Sequence, residues 1–227
     1  MIPVPAILAA AVAGLGLAVA GVALRKPAQV TAPDPKALPE HQRQWLQDLV
    51  FDASPVLAAG RMPLSVAFGQ AAIETGWGKS LRDNPWGKRG VGDAGSQFIA
   101  THESFEAGTS TLLHDQKFAA FSSQTAAALG YVKFLNSKLY APGHLFRSRD
   151  AGRWLLWLWA AGYATSGSYA QAVRGASKTV AKALGNPDLE VPWSPWHGQV
   201  ADELGAVDAG SARRGLARKR LGLGDLT

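Results

Sequence analysis

Leu64-Ser-Val-Ala-Phe-Gly-Gln-Ala-Ala-Ile-Glu-Thr-Gly-Trp-Gly78 is the stretch on which the interpretation of this chain turns. Pro63 fits the first helical position, where a missing N–H costs nothing. The interior residues Ala67, Phe68, Ala71, Ala72 and Ile73 predict a largely apolar helix over 64–76, stopped by Gly76 and Gly78. Glu74 then stands in the last turn of that helix, where the helix dipole disfavours a negative charge. A surface glutamate is the bland reading. The alternative is a carboxyl partly desolvated by Trp77 and a neighbouring lobe, with its pKa raised into the range a general acid needs at neutral pH.

Outward from this helix, 42–57 shows helical spacing through Trp45, Leu46, Leu49 and Val50. Residues 84–121 change character: Gly87, Gly90, Gly92 and Gly95 punctuate short alternating runs, which predicts a loop and a small β-lobe. Ser122 or Ser123 is placed to cap a helix holding Leu129, Tyr131, Val132, Phe134 and Leu135. Asp150 is placed to cap a tryptophan-dense helix through Trp154, Trp157 and Trp159. A last helix over 169–184 closes at Gly185, with Pro187 beyond. Helices, a β insertion and more helices predict a mostly α, α+β domain with a small lobe over a cleft.

Residues 2–24 carry no charged side chain and are rich in Ala, Val, Leu and Gly, long enough to span a bilayer. A membrane helix is expected, with a cleaved signal or an assembly helix as alternatives. Arg25 and Lys26 would keep the following flank cytoplasmic by the positive-inside rule. The domain plan is therefore an anchor helix at 1–26, a Pro-rich linker at 27–40, a globular domain at 41–188 and a basic tail at 189–227. The tail, with Arg213, Arg214, Arg218, Lys219 and Arg220, reads as a solvated extension, or as a dock for anionic lipid, nucleic acid or an assembly partner.

A hydrophobic content of 47% excludes wholesale disorder. The net charge of +6 attracts polyanions, but the body of the chain has no nucleic-acid-binding signature. The absence of cysteine excludes disulfides, thiolate zinc sites and cysteine nucleophiles. His41, His102, His114, His144 and His197 are scattered without metal-ligand spacing, so no metal or other cofactor is expected. Eight tryptophans suit either a core or a sugar-stacking surface.

Four ordered pieces of text resemble the glucosaminidase family, glycoside hydrolase family 73, which includes flagellar and autolysin-type peptidoglycan hydrolases. They are Ala71-Ala-Ile-Glu-Thr-Gly-Trp-Gly78, Asn84-Pro-Trp-Gly-Lys-Arg-Gly90, Tyr131-Val-Lys-Phe-Leu-Asn136 with Tyr140, and Ala161-Gly-Tyr-Ala-Thr165 with Tyr169. The resemblance implies a lysozyme-like fold that cleaves the β-1,4 bond after N-acetylglucosamine in peptidoglycan. Glu74 would protonate the leaving oxygen.

A second carboxylate is implied in the β-lobe. Glu103 is the best match, ahead of Glu106 and Asp93, unless the substrate's own N-acetyl group does that work. Tyr163 matches an active-site tyrosine that would bond the N-acetyl group or orient water. Trp77, Asn84, Trp86, Tyr140 and Tyr169 are expected as walls of a glycan-binding groove, although Trp77 suits packing beneath the acid as well. Ser166-Gly-Ser168 departs from the family's Asp-Pro type of turn, and the segment between Glu74 and Glu103 is short, which bears on Glu103 more than on Glu74. The rivals are a lytic transglycosylase or muramidase, whose Gly-Leu-Met-Gln text is absent after Glu74, and an inactive structural component of a virion or envelope. The expected setting is the bacterial envelope, membrane-anchored in the periplasm, or a phage particle.

Overall fold

The computed structural model describes residues 38–104, 110–137, 140, 150–164, 166–207 and 210–223, with the backbone alone at 100–104 and 110–114. The expected anchor helix at 1–26, most of the linker, and Glu106 lie outside the described residues. Among the described residues no helix is long and apolar enough to cross a membrane.

The elements run α1 (Glu40–Ala59), α2 (Leu64–Glu74), β1 (Ser96–Ser104), β2 (Ser110–Ala119), α3 (Gln124–Leu135), α4 (Ala151–Ala160), α5 (Tyr169–Leu184), a 3-10 turn (Pro187–Leu189), α6 (Pro195–Gly205) and α7 (Ser211–Leu221). The architecture is mostly helical with one antiparallel hairpin, as expected. The caps follow the chemistry of the sequence. Ser123 accepts from the Ala126 N–H at the start of α3, and Asp150 accepts from the Arg153 N–H at the start of α4. Gly185 ends α5 at φ 62°, the left-handed cap that glycine takes most easily. Pro63 is the cap residue of α2 rather than its first helical position, and α2 ends at Glu74 rather than Gly76.

α2 is the central element. Every residue from Ser65 to Ala72 is buried, so the helix is enclosed on all sides. It meets α5 at Gly69, where a Cβ would lie 2.7 Å from the Val173 carbonyl oxygen. Glycine is required for that approach, which brings the N-terminal end of α5 to the C-terminal end of α2.

The β hairpin is sewn onto the loop that precedes it. The Gly90 N–H donates to the Lys117 carbonyl (3.1 Å), the Ala119 N–H donates to the Lys88 carbonyl (2.8 Å), and Gln97 Nε2 donates to Asp83 Oδ1 (2.8 Å). The lobe thereby fixes loop 83–90 rather than hanging free of it.

The tail from 189 is not the solvated extension its charge suggests. α6 and α7 pack over α4, burying Val200, Ala201, Leu204, Ala217 and Leu221, so the compact unit continues past 188 through α7. The reason lies in α4, which apart from Arg153 is apolar on every side and needs a cover on its outer side as well. Arg213 is buried beneath this cover. Its guanidinium donates to the Leu204 carbonyl (3.0 Å) and the Val207 carbonyl (2.9 Å) at the end of α6, and lies 4.9 Å from the Trp159 ring centroid.

The tryptophans resolve mainly as core. Trp86, Trp157 and Trp159 each donate their indole N–H to a backbone carbonyl, of Ala67, Tyr140 and Ser166 respectively. Buried indoles with satisfied donors are structural; only Trp77, Trp193 and Trp196 keep appreciable exposure.

Candidate active site

Glu74 is the last residue of α2, and the chain turns sharply after it. Gly76, Trp77 and Gly78 take φ values of 56°, 65° and 76°, a left-handed run that is strained for a tryptophan. Thr75 holds the turn: its hydroxyl donates to the Ala71 carbonyl (2.7 Å) and accepts from the Gly78 N–H (2.8 Å). The Trp77 N–H closes back on the Ala72 carbonyl (2.7 Å). Gly78 packs against the Trp45 indole, where a Cβ would come within 2.6 Å of Cδ2. The Thr-Gly-Trp-Gly text is therefore a device that ends the helix at Glu74 and holds its carboxyl at the edge of the core.

The loop 84–88 covers the other side of the acid. Asn84 was expected as a groove wall; it is instead buried, and its side chain is spent within its own loop. Its amide accepts from the Lys88 N–H (3.0 Å) and donates to the Lys88 carbonyl (2.8 Å). Trp86, also expected as a wall, is buried face to face with Tyr131 at 4.9 Å. Both hold the loop so that Gly87 (φ 59°) lies against the acid; a Cβ there would stand 3.2 Å from Glu74 Oε2.

Enclosure decides the electrostatics. Glu74 is half-buried, and desolvation pushes its pKa from 4.5 up to about 7, partly opposed by a hydrogen bond from Tyr169. The Tyr169 hydroxyl donates to Glu74 Oε1 at 3.3 Å and accepts from Gln70 Nε2 at 3.0 Å. The Tyr131 hydroxyl donates to Gln70 Oε1. Burial holds Tyr131, Tyr163 and Tyr169 well above their usual pKa of 10, so all three are neutral hydrogen-bonding groups at physiological pH.

Tyr163 is half-buried beside these groups, its ring 6.0 Å from that of Tyr169 and 6.3 Å from that of Tyr131. Its hydroxyl donates to the Trp86 carbonyl (2.6 Å), which leaves its lone pairs as acceptors. Tyr140 is buried against Phe134 and Tyr163 and forms the back of the cluster rather than a surface wall. Tyr169, expected as a wall, touches the acid itself. Trp77, three residues after the acid, is half-buried.

Among the other carboxylates, Glu103 lies on β1 opposite Thr111, and its side chain is outside the described residues. Asp93 is committed to capping Ser122 through both the backbone N–H and the hydroxyl. Among the described residues no group of His, Asp and Glu side chains could hold a metal ion.

Two site residues were not singled out from the sequence. Gln70 sits one helical turn before Glu74, so its spacing put it on the same face, but an uncharged residue in a helix interior gives no chemical signal. Gly87 acts through the side chain it lacks.

A half-buried carboxyl with a raised pKa, set at a helix end and backed by neutral tyrosines, is chemically able to donate a proton near neutral pH. Residues 52–182 match the family model of the glucosaminidases, described as mannosyl-glycoprotein endo-beta-N-acetylglucosaminidase. The match spans more than half of the 227 residues, and the chain belongs to the glucosaminidase family and is a glycoside hydrolase.

Two solved structures agree on the fold. The catalytic domain of the autolysin Auto from Listeria monocytogenes superposes with a TM-score of 0.52 at 18% identity, covering 82% of this chain and 99% of that one. An N-acetylmuramoyl-L-alanine amidase chain from Staphylococcus aureus gives 0.54 at 17% identity, covering 72% of this chain and 48% of that one. The glycoside hydrolase domain of FlgJ from Salmonella typhimurium is 26% identical over 60% of this chain and 94% of that one, with a TM-score of 0.45. No curated protein matches the sequence.

Proposed function

We propose that this glycoside hydrolase acts on peptidoglycan, cleaving the β-1,4 bond on the reducing side of N-acetylglucosamine with Glu74 as general acid. The observation that carries the reading is the desolvated, half-buried carboxyl of Glu74, with a pKa raised to about 7. An acid in that range is protonated often enough to donate to the leaving glycosidic oxygen and weak enough to give the proton up. Family membership and the autolysin-like fold support a cell-wall glycan as substrate.

Glu103 is the proposed second carboxylate, activating water or stabilising the positive sugar ring, with the substrate's N-acetyl group as the alternative. Tyr163, its hydroxyl proton committed to Trp86, would accept a hydrogen bond from that water or from the N-acetyl N–H. In the same reading the apolar run at 2–24 is a membrane tether, and carriage by a phage particle would place the domain on the wall side.

Digestion of purified peptidoglycan tests the assignment. The expected product carries N-acetylglucosamine at its reducing end, and Glu74→Gln yields none. A 1,6-anhydro-muramyl product would mean a lytic transglycosylase. If neither protein cleaves but both bind the wall, the domain is a binding module.

A further inference from the structure

We propose that Gln70 is a positioning residue that acts through Tyr169 to decide which oxygen of Glu74 carries the catalytic proton; this rests on Glu74 being the acid. Gln70 is fully buried on α2, one turn before Glu74, and both ends of its amide are used. Tyr131 Oη–H donates to Gln70 Oε1, Gln70 Nε2–H donates to Tyr169 Oη at 3.0 Å, and Tyr169 Oη–H donates to Glu74 Oε1 at 3.3 Å. Three elements, α3, α2 and α5, are thus joined in one directional chain that ends on the acid.

The direction matters because a phenol has one proton. With an N–H arriving from Gln70, Tyr169 turns its own proton to Oε1. When Glu74 is neutral, its proton then sits on Oε2, the oxygen that faces Gly87. Were the Gln70 amide reversed, its carbonyl would take the Tyr169 proton. Glu74 could then place its proton on Oε1 and donate it to the phenol, away from substrate. In the arrangement seen, Tyr131 supplies the proton that meets the carbonyl end of Gln70 and leaves Nε2 to Tyr169. The titratable groups facing Glu74 in this cluster are Tyr131 from α3, Tyr163 from the segment before α5, and Tyr169 from α5; all are neutral at working pH.

Two variants test this. Gln70→Leu removes the donor. Tyr131→Phe keeps the ring stacked on Trp86 but releases the amide, and its hydroxyl has no hydrogen bond to Glu74. Each is expected to lower kcat about tenfold, a fraction of what a general acid supplies, with KM within about twofold because substrate contacts are unchanged. In both, the alkaline limb of the pH profile moves upward, because the protonated acid gains Tyr169 as an acceptor for its own proton. The double variant is no worse than the more damaging single one. Loss of melting temperature with an unmoved pH profile and unchanged kcat, in either variant that folds, overturns the proposal. If Glu74→Gln itself keeps activity, the underlying assignment of the acid fails instead, and the two failures are distinguishable.

Discussion

Gly87 lies so close to Glu74 that a single methyl group at position 87 would stand 3.2 Å from Oε2. The distance is tighter than comfortable carbon–oxygen contact, and the backbone at Gly87 has φ 59°, which costs an L-residue about 1–2 kcal/mol. Gly87→Ala should therefore act twice, by straining the loop and by pushing the carboxyl off its position. Since misplacement by a fraction of an ångström to an ångström can cost up to about a hundredfold in rate, a fall in kcat of at least tenfold is expected. Melting temperature should drop only modestly. Steady-state kinetics beside a thermal melt checks both; unchanged kcat would show that Oε2 has room to spare.

The raised pKa of Glu74 links activity and stability to pH in the same sense. As the proposed general acid, Glu74 would work while protonated, so kcat/KM should fall as pH rises through about 7. In the folded state the carboxyl binds its proton more tightly than in the unfolded chain, whose pKa stays near 4.5. Between those values the native state holds more protons, and stability declines as pH rises through the window. Glu74→Gln removes the cost of a desolvated carboxylate. It should be inactive, equal to wild type near pH 4, and more stable at pH 8 by about 1–3 kcal/mol, after allowance for partial solvent access. Urea denaturation of both proteins at the two pH values measures this.

Much of this site was legible in the sequence, and the exceptions have physical causes. The end of α2, the small β-lobe, and the caps Asp150 and Gly185 follow from local chemistry: glycine spacing, hydroxyl and carboxylate acceptors, and apolar runs. Asn84 and Trp86 were placed in the right neighbourhood but given the wrong task. Their residue types suit sugar contact and loop-holding equally, and only burial separates the two. The tail was misread because its arginines are visible in sequence whereas the outer face of α4 it covers is not. Apart from Arg153 that helix is apolar on every side, a hint that something else has to pack there.

The left-handed turn after Glu74 separates backbone strain from packing. Gly76 (φ 56°) has nothing nearer to an added Cβ than Lys79 Cβ at 4.0 Å, whereas Gly78 (φ 76°) faces the Trp45 ring at 2.6 Å. Gly76→Ala should thus cost only the conformational term, about 1–2 kcal/mol. Gly78→Ala adds overpacking against a buried indole and should cost about 2–5 kcal/mol in all. Equal losses from the two variants in chemical denaturation would show that Trp45 moves aside freely.

Arg213 provides the last test, because its burial is the least expected feature of the chain. A guanidinium removed from water is costly unless its donors are met and its face is covered. Here the donors reach the carbonyls of Leu204 and Val207, groups left open by the end of α6, and the plane rests near the Trp159 ring. Arg213→Met keeps much of the volume but takes the side-chain donor from both carbonyls, leaving Leu204, among the described residues, only the long bond from the Val207 N–H (3.4 Å); a buried carbonyl left unpaired costs about 1–3 kcal/mol. Arg213→Lys keeps the charge but cannot fork across both acceptors. Both variants should lower stability by about 2–4 kcal/mol, and lysine should not rescue. The hydrogen bond that Glu74 accepts comes from Tyr169 on α5, not from α6 or α7, so kcat measured well below the melting transition should stay within about twofold of wild type. Rescue by lysine would show that charge alone, rather than the forked geometry, holds the two C-terminal helices on α4.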